Sequence, residues 1–215
     1  DATGDTFDSI EVLVGSSFAD NLTAANSGSR LEGRAGEDTL IGGTANDTLD
    51  GGQNDDVLRG GGGADTLIGG AGEDTADYST ATGAVTVSLA DNTGAGSDAQ
   101  GDTYTTIENI TGSNQNDHLT GDANENRLDG GLGDDILIGG DGGDRLIGGA
   151  GIDTVDYSGS AAGVTINLDS GLNVGGDATG DQMTGVENVI GTDHIDSLTG
   201  DGEANRLMAG DQNDT

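Results

Sequence analysis

Single leucines recur along this chain every nine residues, each flanked by small or polar residues, and no window of even ten residues is continuously apolar. From Gly33 the sequence reads GRAGEDTLI, GGTANDTLD, GGQNDDVLR, GGGGADTLI, GGAGEDTAD. The frame covers seven nonamers from Gly15 to Asp77, five from Gly112 to Asp156, and two plus a truncated third from Gly191 to Thr215. Across these fifteen turns position 1 is Gly in thirteen and position 6 is Asp in twelve, and Leu fills position 8 in twelve of fourteen. Gly at position 1 permits positive φ and leaves room for inward carbonyls. Leu at position 8 supplies one inward side chain from a strand about three residues long. Such a strand is stable only when stacked on copies of itself. The pattern therefore predicts an all-β parallel solenoid with a thin core of leucine ladders and turns running up both edges.

A longer period supports two nonamers per coil. The segment from Asp98, DAQGDTYTTIENITGSNQNDHLTGDANENRL, matches that from Asp177 at a constant offset of 79, and the segment from Asp1 matches it at 97. The two offsets differ by 18, the step that adds one two-sided coil without exchanging its sides. The chain thus divides into three copies of one module, residues 1–97, 98–176 and 177–215, the last cut short. A start inside one module and an end in mid-turn suggest a longer array. Between the runs lies a spacer in which Val85, Val87 and Leu89, and likewise Val164, Ile166 and Leu168, alternate as in a half-buried strand. These are expected to be longer strands that continue or cap the stack. A carbohydrate-binding surface on the spacer is a weaker alternative.

Composition then changes the picture. Leu, Ile, Val and Phe total 41 of 215 residues and the net charge is −34, a combination typical of disorder. Without Cys there is no disulfide framework and no thiolate metal site. Charge of this sign repels nucleic acid and anionic lipid, and no apolar run is long enough to insert into a membrane, so the natural partners are cations. The acids are 32 Asp against 8 Glu, favouring turns where a short carboxylate can reach a bound ion.

GGxGxDxLx resembles the hemolysin-type calcium-binding repeat of RTX proteins. The spacers, with their DYS, VTINL and IENxIG elements, resemble the lead-in of serralysin-type C-terminal domains. The resemblance implies a parallel β-roll holding Ca²⁺ between adjacent turns on each edge. Ca²⁺ takes six to eight oxygens, mostly carboxylate and carbonyl, and one turn offers about half a shell. The expected carboxylate pairs are Asp20 with Asp38, Asp38 with Asp56, Asp56 with Asp74, and Asp47 with Asp65. They continue with Asp117 and Asp135, Asp135 and Asp153, and Asp196 and Asp214. The pairs Ser29/Asp47 and Asn126/Asp144 are expected to be weakest, because the second nonamer of each module carries Ser29, Asn126 or Asn205 at position 6. Each is followed by an arginine, Arg30, Arg127 or Arg206, which is expected to supply some of the missing positive charge.

By the same resemblance, the backbone ligands come from positions 1 to 4. Those expected include Gly33, Gly36, Gly42, Gly43, Gly51, Gly52, Gly60, Gly61, Gly63, Gly69, Gly70 and Gly72 in the first run. In the second they include Gly130, Gly131, Gly133, Gly139, Gly140, Gly142, Gly148, Gly149 and Gly151. Glu108 and Glu187, and Glu11 at the matching place, are expected to close the first site of their runs. Same-edge pairs number nine, the weak ones included, so five to nine Ca²⁺ ions are expected.

His118 and His194 occupy different frame positions and no HExxH occurs, which argues against zinc. The in-frame acids are assigned to calcium and no pocket-sized insert interrupts the modules, so no catalytic residues are expected. Tyr78 and Tyr157 fit core or edge packing. The favoured function is a structural repeat region of a large secreted bacterial adhesin, surface-layer or biofilm protein, folded by Ca²⁺ after type I export. Its other partners would be further repeats of the same chain, with self-association or surface polysaccharide also open. The alternatives are the non-catalytic C-terminal module of a secreted protease, epimerase or lipase, and the repeat region of an RTX toxin.

Overall fold

A computed structural model describes residues 11–215. The lead-in of the first module, residues 1–10, lies outside the described residues. The described residues form an all-β parallel β-roll without α-helix.

The chain divides into two compact units, one comprising residues up to Asp77 together with Thr93–Ile107, the other Tyr78–Asn92 with Glu108–Thr215. In the first unit, strands alternate between two parallel sheets. Val12–Val14, Arg30–Ala35, Thr48–Gln53, Thr66–Ala71 and Thr103–Thr105 make one sheet, and Asn21–Thr23, Thr39–Gly43, Val57–Gly61 and Thr75–Asp77 lie in the other. Leu31 registers on Leu49 and Leu40 on Leu58, a step of two nonamers. The second unit repeats the scheme: Leu128 registers on Leu146 in one sheet and Leu119 on Leu137 in another.

Position 8 points inward in the first two runs, whereas in the third Leu198 is half-buried and Leu207 is exposed. Leu31, Leu40, Leu49, Leu58 and Leu67, and Leu119, Leu128, Leu137 and Leu146, are fully buried, as are Ala76 and Val155. At about 25 cal/mol per Å² of apolar area removed from water, this thin ladder accounts for the cohesion between opposed sheets. Strands are longer than three residues where the frame is cleanest. Arg30–Ala35 runs through Gly33 into the next nonamer, because Arg34 and Ala35 pair on Gly52 and Gln53.

The spacers depart from expectation in length. Thr86–Ser88 and Thr165–Asn167 are three-residue strands, and only Val85, Val87, Val164 and Ile166 are buried, while Leu89 and Leu168 are half-buried at the strand ends. They do continue the stacks. Val87 registers on Leu119 and Ile166 on Leu198, so each spacer provides the coil from which the following run begins. Thr165–Asn167 also pairs antiparallel with Leu172–Val174, a short hairpin.

Candidate metal centre

The turns are stitched together by their position-6 side chains. In the turns that follow, one oxygen of this side chain, or of the acid that takes its place in the column, accepts the backbone N–H of the position-6 residue one coil earlier. On one edge of the first unit Asp20 N–H donates to Asp38 Oδ1 at 2.7 Å, Asp38 to Asp56 at 2.7 Å, and Asp56 to Asp74 at 2.8 Å. Alternate turns carry Ser29 to Asp47 at 2.5 Å, Asp47 to Asp65 at 2.7 Å, and Asp65 to Asp102 at 2.8 Å. The second unit has Asp117 to Asp135 at 2.7 Å, Asp135 to Asp153 at 2.8 Å, and Asp153 to Glu187 Oε2 at 2.8 Å. Its alternate turns have Asn126 to Asp144 and Asp144 to Asp181, both at 2.9 Å. Asp196 donates to Asp214 at 2.9 Å. The carboxylates expected to pair are thus stacked one coil apart.

The second oxygen has a different fate. Oδ2 of Asp38, Asp47, Asp56, Asp65, Asp135, Asp144 and Asp153 is buried with no hydrogen-bond partner, in side chains that are at most 3% exposed. A buried, unsatisfied carboxylate oxygen is among the costliest groups a fold can hold. Burial pushes the carboxyls of Asp56, Asp65, Asp135 and Asp144 up to about 7, with neighbouring acids adding to it. It raises Asp38, Asp47 and Asp153 as well.

These oxygens face others. A Cβ placed on Gly42 would meet Asp47 Oδ2 at 2.8 Å together with the Gly60 carbonyl, and one on Gly33 would meet the Gly51 carbonyl at 2.5 Å together with Asp38 Oδ2. Gly130 has the same surroundings, with Asp135 Oδ2 and the Gly148 carbonyl at 2.7 Å. Each hollow exists because position 1 lacks a side chain, and it gathers a carboxylate oxygen and a carbonyl from the next coil with no compensating donor. Among the described residues no three His, Asp or Glu side chains converge, so the remaining donors at such a site are backbone carbonyls. An all-oxygen set of carboxylate and carbonyls suits Ca²⁺, and an ion there would satisfy the orphaned oxygens.

Other expected residues are placed differently. Asp20 Oδ2 accepts Ser16 N–H at 2.5 Å, and Asp117 Oδ2 accepts Ser113 N–H at 2.5 Å. Asp196 is bound by Thr192 N–H at 2.7 Å, while Asn126 and Asn205 oxygens accept Asp122 and Asp201 N–H at 2.7 and 2.8 Å. Asp214 is half-buried. Glu187 reaches the turn of Asp153, at the end of the second run instead of the start of the third. Glu108 accepts Asn126 Nδ2 on its carbonyl at 2.9 Å, and the Glu11 carbonyl accepts Arg30 N–H at 2.7 Å. Two of the three arginines are committed to acids outside position 6. Arg30 pairs with Glu32 at 2.6 Å and Asp50 at 3.0 Å, and Arg127 with Asp129 at 2.5 Å, all partly exposed, because position 7 points away from the core.

Asp102 and Asp181 are column members that the nonamer frame misses, since they fall in the lead-ins. Their signal was the GD pair repeated at the offset of 79. Asp181 is further held by the buried Tyr157 hydroxyl at 2.5 Å, so this tyrosine does more than pack. Burial and the Asp181 charge push the Tyr157 hydroxyl's pKa upward. A second ladder on the outer side of the turns was also unforeseen. There Asn46, Asp55, Asn116 and Asp134 accept N–H groups of Ala64, Glu73, Asp134 and Ile152 one coil later.

Fold and site together define a calcium-binding parallel β-roll. A family model for the RTX calcium-binding nonapeptide repeat matches residues 14–49, 26–58, 41–76, 103–137, 138–156 and 183–215, more than half of the chain. The chain belongs to this family and is a calcium-binding repeat region. No curated protein matches it. No helix among the described residues is long and apolar enough to cross a membrane.

Proposed function

We propose that this chain is the calcium-folded structural region of a large secreted bacterial protein of surface or matrix type, an adhesin, surface-layer or biofilm component. The observation that carries the reading is the set of buried Oδ2 atoms without partners, repeated coil after coil. Without a cation those carboxylates repel one another and oppose the fold; with one they tie successive coils together. A chain of net charge −34 with so small a core stays extended where free Ca²⁺ is scarce, which suits passage through an export channel. Where Ca²⁺ is plentiful each ion bound only by the folded state adds RT ln(1 + [Ca²⁺]/Kd), about 2.7 kcal/mol at a hundredfold excess. The ions are held by position-6 carboxylates and by carbonyls of positions 1 to 4, with Glu187 serving the last turn of its column. Modules copied in tandem along residues 1–97, 98–176 and 177–215 favour a rigid spacer over a lone appendage of an enzyme.

Far-UV circular dichroism tests the mechanism: coil in chelator, β-structure on adding Ca²⁺, and no equivalent change with Mg²⁺, which requires a smaller octahedral shell. An unchanged β-spectrum in chelator contradicts it. The cellular role is tested by fractionating the producing bacterium with an antibody against this segment. Retention at the cell surface or matrix supports the reading, and recovery on a soluble enzyme in the medium overturns it.

A further inference from the structure

The partnerless oxygens and the capped ones separate by the backbone at a single position. In the turns of Asp38, Asp47, Asp56 and Asp65, position 2 is Arg34, Gly43, Gly52 and Gly61, with φ of 85°, 132°, 111° and 85°. In those of Asp135, Asp144 and Asp153 it is Gly131, Gly140 and Gly149, with φ of 98°, 96° and 109°. In the capped turns position 2 is Ser16, Ser113, Asp122, Thr192 or Asp201, none at positive φ, and its N–H binds the side-chain oxygen at position 6. Position 4 does not sort the turns, since Ala45 in the turn of Asp47 lacks the positive φ that Gly36 and Gly63 have. Gly70 and Gly210, in the turns of Asp74 and Asp214, share the positive-φ conformation.

We propose that position 2 decides whether a turn takes an ion: a residue at positive φ turns its N–H away and leaves the carboxylate oxygen to the metal, whereas Ser, Thr or Asp at negative φ fills that oxygen and makes a metal-free turn. This rests on the calcium reading above. A donated N–H and a cation compete for the same lone pairs, and the N–H is covalently held within the turn, so it excludes the ion. Side-chain chemistry agrees independently. The capped position accommodates the neutral amides Asn126 and Asn205, while every turn with a partnerless oxygen keeps the charge of Asp. The metal-free turns fall at the start of the runs: Asp20 in the first, Asp117 and Asn126 in the second, Asp196 and Asn205 in the third. Each run thus begins on a turn closed by protein hydrogen bonds alone, and on that edge its ions start one coil later than the expected pairs imply. Asp181, held by Asp144 N–H and by Tyr157, is a similar protein-only stop at the far end of its column.

The test counts bound Ca²⁺ by native mass spectrometry on the whole chain. Asp20→Asn is expected to keep the wild-type count and Asp38→Asn, one coil away, to lose at least one ion. Ser113→Gly, which removes the Cβ constraint in the turn of Asp117, is expected to gain one ion. An equal loss in Asp20→Asn and Asp38→Asn, or an unchanged count in Ser113→Gly, overturns the proposal. A wild-type chain that binds no Ca²⁺ overturns the calcium reading instead, so the two failures are distinct.

Discussion

Asp117 and Asp135 sit one coil apart in the same column, at 2% and 1% exposure, each with Oδ1 accepting an N–H from the coil before. Their second oxygens differ. That of Asp117 holds Ser113 N–H, and Ser113 Oγ adds a bond to Oδ1 at 2.9 Å; that of Asp135 has no hydrogen-bond partner. Burial raises both carboxyls; for Asp117 three hydrogen bonds, from Val85 N–H and from Ser113 N–H and Oγ, pull back downward, whereas Asp135 has only the Asp117 N–H to do so and is pushed to about 7, the charges of Asp117 and Asp153 adding to the rise. One aspartate is therefore a finished structural element and the other half of a site. The difference originates four residues upstream, in the peptide that Gly131 can turn and Ser113 does not.

The largest expected effect removes the support both turns share. Leu128→Ala, on the strand Arg127–Leu132, deletes a fully buried side chain and should cost about 2–5 kcal/mol. Urea unfolding at saturating Ca²⁺ measures it, and a change below 1 kcal/mol, on the order of a surface substitution, would mean the leucine ladder contributes little. Next comes a conversion of one turn into the other. Gly131→Ser should close or strain the turn of Asp135, losing the stabilisation from one ion, about 2.7 kcal/mol at a hundredfold excess of Ca²⁺ over Kd. The same unfolding experiment in chelator should show a smaller difference between this variant and wild type; equal differences in both conditions would make the effect purely one of backbone strain. The smallest effect is at the outer face. Arg127→Ala breaks a partly exposed ion pair with Asp129 and should change stability by at most about 1 kcal/mol, with no change in the Ca²⁺ midpoint.

Much of this was legible in the order of the residues. Leu at position 8 fixed the inward face, and the step of 18 fixed which turns are neighbours; Leu31 on Leu49 and Asp38 on Asp56 follow. What escaped was the direction of a peptide. Ser113 and Gly131 both stand beside Gly at position 1, and sequence does not say that one N–H points at the carboxylate and the other away. The run boundaries hid Asp102 and Asp181, because a spacer changes the separation of stacked partners from 18 to 37 residues. Compensation between copies was likewise visible only in three dimensions. A Cβ on Gly94 would meet the Tyr104 hydroxyl at 2.5 Å, whereas the next copy has Asn173, donating to the Asp181 carbonyl at 3.1 Å, and Met183.

The most direct test of the central claim is a crystal structure grown in Ca²⁺, with anomalous scattering used to place the ions. Density is predicted against Asp135 Oδ2, between the turns of Gly130 and Gly148, and none against Asp117 Oδ2, where Ser113 N–H remains bound. Ions at both aspartates, or at neither, would contradict the account.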